Sequence, residues 1–396
     1  MMRRTIVIAA SVAALSVGTA LAQEGKESTE GLDMQAARAK MMSARGAKIA
    51  YTKKFDLSGL PRYQPKQKVS GTIRIWGSNY ITDGFLGGYW EDAFKRYHPD
   101  VKFDWQMKTT LAAVPSLVYG VSDMGIGRKI TFAEQELFER YKDRSPIEIE
   151  IATGSYDVPG WQPGYGVVVH KDNPLTKITM EQLDGIFGAE RTGGWEGTSW
   201  RPQWARGPEK NIRTWGQLGL TGEWKDQPIN VYGLTLRYHQ ATEISDRVIK
   251  ASDKWNEHLK IYANYVSKKG ALERGMNEDL AADRYGIGII AAPTTNLTGG
   301  AAQPTLKVLP VAAKETGPYV PYSLETLQDR TYPLYDRIFV YTDRETGQAM
   351  NAAVVEFVRF VLSREGQELV QKDGKYLPLN AEVARAQLAK LESAAK

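Results

Sequence analysis

Residues 71–126 read GTIRIWGSNYITDGFLGGYWEDAFKRYHPDVKFDWQMKTTLAAVPSLVYGVSDMGI. Ile73 and Ile75 alternate with polar neighbours, the period of a half-buried strand, and the run ends in the turn Gly77-Ser78-Asn79. Phe85, Leu86, Tyr89, Trp90, Ala93, Phe94 and Tyr97 then fall on one helical stripe, which Thr82 or Asp83 caps and Pro99 stops. Val101, Phe103, Trp105 and Met107 alternate as a second strand. Thr109 or Thr110 opens a second helix on Leu111, Val114, Leu117 and Val118, closed by Gly120, and Val121–Ile126 is a third strand. The order β-α-β-α-β predicts parallel neighbours, because each helix returns the chain to the edge where the previous strand began. The fold class is α/β, with mostly parallel sheets flanked by helices.

The pattern continues downstream. Strands are predicted over Gly166–His170, Val231–Leu236, Tyr285–Ile290, Leu306–Val311 and Asp336–Thr342, and helices over Thr179–Phe187 and Thr242–His258. A last helix carries Val354, Phe357, Val358, Val361 and Leu362, and a second piece over Ser363–Gln371 ends at Gly374. Residues 189–228 look like an inserted excursion holding five of the ten tryptophans: Trp195, Trp200, Trp204, Trp215 and Trp224. They either pack against their own lobe or, with Arg201 and Arg206, form a surface that stacks on a glycan or a protein partner. Upstream, residues 23–70 are polar and broken by glycine and proline, an extension that wraps the body or stays mobile, with order beginning at Thr72.

The first residues have the layout of a secretory leader. Arg3 and Arg4 precede the short apolar stretch Thr5–Val17, and Ala20-Leu21-Ala22 is a small-x-small cleavage site that leaves Gln23 first. The apolar stretch is shorter than the roughly 20 residues that a spanning helix needs. The chain of 396 residues has no cysteine, which excludes disulfides, thiolate metal sites and cysteine nucleophiles. Its four histidines, His98, His170, His239 and His258, include no pair at metal-ligand spacing. The net charge of +5 falls to about +3 once Arg3 and Arg4 leave with the leader, too little to argue for nucleic acid.

Enzyme signatures fail in turn. Gly286-Ile287-Gly288-Ile289-Ile290-Ala291 fits a dinucleotide pattern in letters, but its glycines lie inside a strand run rather than between strand and helix. The chain has no phosphate-cradling loop, no Gly-x-Ser-x-Gly elbow and no His-Glu-x-x-His, so no cofactor or metal is expected. What remains are three places where a strand ends and a helix begins: Ser78-Asn79-Tyr80, Thr109-Thr110 and Arg237 to Thr242. Helix starts carry unpaired N–H groups and partial positive charge, and ligands of open α/β sheets bind at the carboxyl ends of the strands. Arg128 and Arg237 add forked donors suited to an oxyanion.

A chain of short matches in family order resembles the periplasmic phosphate-binding proteins of ABC transporters over about residues 71–380. They are Gly71 to Ser78, the segment Asp123-Met124-Gly125-Ile126-Gly127-Arg128, and His170 to Leu175 followed by Ile186-Phe187-Gly188. Tyr285-Gly286-Ile287-Gly288, Pro321-Tyr322, Ser363 to Gln367 and Gly374 to Leu379 complete the series. The resemblance implies a two-lobed, type II periplasmic binding fold with an anion in the cleft at the hinge. Lobe I would comprise residues 71–160 and 300–396, and lobe II residues 161–299 with the insertion 189–228. Carried over residue by residue, Ser78, Asn79 and Tyr80 fall on the first ligand loop, Thr110 on a ligand-binding hydroxyl at a helix start, and Arg128 on the end of the second loop. Arg237 and Thr242 fall on the third loop.

Two departures stand out. Gly127 replaces the family's serine, and His239-Gln240-Ala241 replace a glycine-serine-glycine run in which backbone N–H groups approach the anion. His239 and Gln240 therefore either block that approach or supply donors of their own, and both join the candidate ligand set. The implied function is capture of phosphate or a related oxyanion for an ABC-transporter permease, by a periplasmic monomer without enzyme activity. The alternatives are a binding module for another ligand or for a protein or glycan partner, and a hydrolase using His239 as base.

Overall fold

The parallel β-α-β order is realised in a computed structural model, which describes residues 51, 53–158, 161–236, 239–263, 275–293 and 304–395. These fall within one compact unit, Lys48–Lys396. The leader at 1–22, residues 23–50 of the extension, and Arg237 lie outside the described residues.

The chain opens with β1 (Gly71–Gly77), α1 (Leu86–Lys95), β2 (Val101–Gln106), β3 (Met124–Gly127), α2 (Phe132–Lys142) and β4 (Ile147–Thr153). It continues through β5 (Tyr165–His170), β6 (Ile178–Thr179), α3 (Met180–Phe187), β7 (Gly194–Glu196), β8 (Ser199–Arg201), β9 (Asn230–Leu234) and α4 (His239–Val248). Then come β10 (Lys260–Tyr262), α5 (Met276–Ala282), β11 (Gly286–Ala291), β12 (Leu306–Leu309) and β13 (Val311–Ala312). The chain ends on β14 (Arg337–Thr342), α6 (Ala352–Leu362), α7 (Arg364–Asp373) and α8 (Ala381–Ala394).

Two five-stranded sheets result, ordered β2-β1-β3-β14-β4 and β10-β9-β11-β5-β12. In each, four strands point the same way; the reversed strand, β14 or β5, is the first one entered after the chain crosses from the other sheet. The two crossings touch. Gly154 N–H donates to the Asp336 carbonyl (2.8 Å) and Tyr165 N–H to the Leu334 carbonyl (2.9 Å). The expected return to the first lobe at residue 300 comes too early, since β12 pairs with β5 in the second sheet. It is β14 that rejoins the first.

Apolar faces fix these layers. Ile73, Ile75, Trp90, Phe94 and Phe357 are buried in the first body, and Val167, Val169, Leu183, Ile186 and Ile287 in the second; each such side chain contributes roughly 1.5–3 kcal/mol of transfer free energy. The strand glycines Gly286 and Gly288 have a packing reason: a Cβ at either would lie 2.8 or 2.7 Å from Leu280, so their bareness lets α5 sit on the strand. Order also begins before Thr72. Leu57, Leu60 and Tyr63 are buried, and the Tyr63 hydroxyl bonds His98 Nε2 (2.7 Å) and Glu356 Oε2 (2.9 Å), so the described part of the extension is a strap across the helices.

The helix predicted over Thr242–His258 starts earlier and stops at Val248. Lys250 and Ala251 take left-handed conformations (φ 60° and 51°), and the Ser245 carbonyl accepts from both Ile249 and Ala251, which turns the chain away. The helix expected at Thr109 or Thr110 is a short 3-10 turn, Thr110–Ala112, with Thr109 as its cap, followed by Pro115–Val118. Residues 189–228 divide in two. Trp215 and Trp224 pack into the second core, with ring centroids 6.0 Å apart, whereas Trp200 of the β7–β8 hairpin is exposed. Among the described residues no helix is long and apolar enough to cross a membrane.

Candidate functional site

Because β1 and β3 are parallel neighbours, their carboxyl ends bring Ser78 and Arg128 to one edge of the first sheet. Ser78 is buried and its N–H donates to the Ile126 carbonyl (2.8 Å), continuing the ladder past Gly77. The turn after β2 places Thr110 beside them, its Oγ1 accepting from Arg128 N–H at 3.2 Å. Gly127 makes this possible: a Cβ there would lie 2.8 Å from that hydroxyl oxygen, so a side chain at this position would crowd Thr110.

The Arg128 side chain is 4% exposed. It forks onto Glu134, Nη1 to Oε2 at 2.9 Å and Nη2 to Oε1 at 3.2 Å, and Nη1 also donates to the Lys129 carbonyl (2.7 Å). Burial is the largest influence and opposes its charge, but Glu134, together with Glu243 and Tyr341, outweighs it and holds the guanidinium protonated. Its Nε is buried with no partner, so one N–H remains for another acceptor. Glu134 escaped the sequence reading although its signal was there. Thr131 and Glu134 form a capping box at the start of α2, Thr131 Oγ1 donating to Glu134 Oε2 at 2.7 Å.

The second body contributes the first turn of α4, where His239, Gln240 and Thr242 sit on the helix itself rather than in a loop. Burial and then the Arg128 charge push the His239 imidazole down to about 4, which makes it neutral at pH 7 and places it within the field of the Arg128–Glu134 pair. Gln240 is buried with Nε2 unpartnered. Thr242 Oγ1 donates to its own turn, to the His239 carbonyl at 2.6 Å. Asn79 is likewise engaged locally, its amide donating to Asp83, and the Tyr80 ring lies 4.8 Å from Trp161 of the first crossing. The structure thus gathers Ser78, Thr110 and Arg128 at one edge and sets His239 within the field of the Arg128–Glu134 pair. The side chains of Asn79 and Thr242 are held by bonds of their own.

Further groups of the site region carry no sequence signal. Trp161 is buried with Nε1 unpartnered. Glu243, one turn along α4 from His239, is buried, and its Oε1 accepts from no donor. Asp336, in the second crossing, is buried; Oδ1 accepts from Arg337 N–H (2.7 Å) and Oδ2 lies 3.5 Å from the Tyr165 hydroxyl. Burial and the Glu243 charge push its carboxyl far above the usual carboxylate range. Among the described residues no group of histidine, aspartate and glutamate is placed to hold a metal ion.

Residues 63–365 match the PBP superfamily domain. The chain is 27% identical over 334 residues to the phosphate-binding protein PstS of Pseudomonas aeruginosa, covering 84% of this chain and 90% of that protein. Among solved structures it resembles PstS from Borrelia burgdorferi (16% identity, TM-score 0.48, 78% of this chain and all of that one). It also resembles an ABC-type phosphate transport receptor from Vibrio cholerae (17% identity, TM-score 0.46, 78% and 99%).

Proposed function

The chain belongs to the PBP superfamily, and on that premise we propose that it is an extracytoplasmic solute-binding protein that captures phosphate or a related oxyanion for an ABC-transporter permease. The observation that carries the reading at the site is Arg128. A buried, charged guanidinium with an unused N–H stands at a strand end beside the Thr110 hydroxyl, within the field of a helix start from the other body. A buried donor without a partner is costly, so a ligand oxygen there is favoured. We assign Ser78, Asn79, Tyr80, Thr110, Arg128, Arg237, His239, Gln240 and Thr242 to the ligand set. We assign the two lobes to the two sheets, with closure about the paired crossings as the ligand-linked motion. Export through the leader, a periplasmic location and a monomeric state belong to the same reading, as does the absence of enzyme activity.

Thermal melts of the exported chain against phosphate, sulfate, phosphonates and sugar phosphates test it. A ligand that binds only the folded state adds RT ln(1 + [L]/Kd), roughly 2.7 kcal/mol at a hundredfold excess over Kd. Stabilisation by one phosphoryl or related anion is expected; no shift with any of them overturns the proposal.

A further inference from the structure

Next to Arg128 in the chain, Lys129 and Ile130 line a cavity of about 200 Å³ together with Glu243, Asp246 and Arg247 of α4 and the start of α2. Phe132 and Trp195 pack against each other in its lining, ring centroids 5.0 Å apart. Glu243 and Asp246 line it, and among the described residues neither carboxylate forms an ion pair. Two of the three basic side chains that share the cavity are paired with other carboxylates, whereas Arg247 meets only a carbonyl and keeps a buried Nη1 without a partner. Lys129 donates to both oxygens of Glu148 (2.8 and 2.6 Å), Arg337 to Glu150 (3.1 Å), and Arg247 to the Pro333 carbonyl (2.8 Å). Glu243 also bears on the Arg128 charge, more weakly than Glu134 does.

A bare inorganic anion at Arg128 makes this arrangement worse. It adds negative charge near a buried carboxylate whose Oε1 has no donor, and an unpartnered buried charge costs more than any ordinary buried polar group. A ligand that brings a cation with its anion satisfies both ends: oxyanion on Arg128 and ammonium on Glu243 and Asp246, beside the packed Trp195–Phe132 pair. The reach is short, since Glu243 follows His239 by one helical turn, about 6 Å of rise.

Resting on the oxyanion reading above, we propose that this cavity takes the cationic end of the ligand, which is a phosphoryl group joined to a short alkylamine. A phosphonate and a phosphate monoester share that chemistry.

Calorimetric titration of the full exported chain distinguishes the cases, using inorganic phosphate, ethylphosphonate, aminoethylphosphonate and phosphoethanolamine. At least one amine is expected to bind about tenfold or more tighter than both ethylphosphonate and phosphate, and the tighter of the two amines names the source. In Glu243→Gln the ratio between aminoethylphosphonate and ethylphosphonate is expected to collapse toward one. Should that variant not fold, Asp246→Asn, on the open rim of the cavity, is expected to reduce the same ratio. If phosphate binds at least as tightly as both amines, the inference fails and the phosphate-capture reading stands. If the preference for the amine survives intact in folded Glu243→Gln, Glu243 is not its partner and the inference fails. If no anion binds at all, the reading it rests on fails with it.

Discussion

Asp336 shows how a single residue in the crossing between the two bodies carries an electrostatic cost. It is buried, has no ion pair among the described residues, and sits in the field of Glu243, so its carboxyl holds a proton well above the usual range. The unfolded chain releases that proton near pH 3.9. Between the two values the folded state binds more protons than the unfolded one, so the stability it contributes is complete below about pH 4 and is lost as pH rises. Asp336→Asn removes the ionisation while keeping the Oδ1 acceptor for Arg337 N–H. Its melting temperature is expected to exceed that of the parent by ~1–2 °C at about pH 8, for roughly 1 kcal/mol in a chain of this size, with the gap closing toward pH 4. A gap that is constant with pH, or of opposite sign, counts against a protonated Asp336. Arg128 contrasts with it. Its charge is matched by Glu134, so what it leaves open is a directed N–H and not an unbalanced charge.

At the scale of elements, the strap that precedes β1 has no regular secondary structure yet ties the helices together. Tyr63 packs edge-on to Tyr97 and Phe360, with centroids 4.9 and 5.3 Å away, and its hydroxyl donates to Glu356, a fully buried carboxylate also paired with Arg359 (2.5 Å). Tyr63→Phe keeps the ring and removes the donor; leaving a buried carboxylate short of one bond is expected to cost about 1–3 kcal/mol, read as a lower urea midpoint. An unchanged midpoint would mean that Arg359 and the Lys66 N–H satisfy Glu356 without Tyr63. This strap also marks where the sequence is silent: three apolar residues without period leave open whether a segment wraps or wanders. The β-α-β-α-β core was legible because β1 and the helices alternate apolar and polar at 2.0 and 3.6 residues. The end of α4 was not. Ile244, Val248 and Ile249 suggest that the helix runs on, whereas the stop lies in the left-handed Lys250 and Ala251, without the glycine that normally announces it. Of the site, Thr110 and Arg128 were readable as strand-end residues. Glu243 and Asp336 were not, because their neighbourhood exists only once the two sheets are assembled.

On the scale of the whole molecule, the insertion connects what the crossings separate. Its base is anchored to the second body: Arg191 forks onto Asp184 of α3 (2.6 Å to each oxygen), and Trp195 N–H donates to the Lys250 carbonyl (2.9 Å). Its tip reaches α2 of the first body, where Trp195 meets Phe132 and Thr198 Oγ1 donates to Glu139 Oε2 at 2.7 Å. Hinge closure that assembles an anion site also brings together any surfaces that meet only in the closed form, and contacts between them stabilise that form without touching the ligand. Under the proposed closure the hairpin tip is such a contact, and its effect is then expected in release and not in the choice of ligand. Thr198→Ala, outside the cavity and the anion turns, removes one hydrogen bond to a charged acceptor, about 1.5–3 kcal/mol at most and less where water replaces it. Stopped-flow displacement of bound anion is expected to show release faster by up to about a hundredfold, with the ranking of anions unchanged. A variant that releases at the parent rate would show that the hairpin contact persists when the cleft opens, and one that reorders the anions would show that Thr198 acts on the site itself.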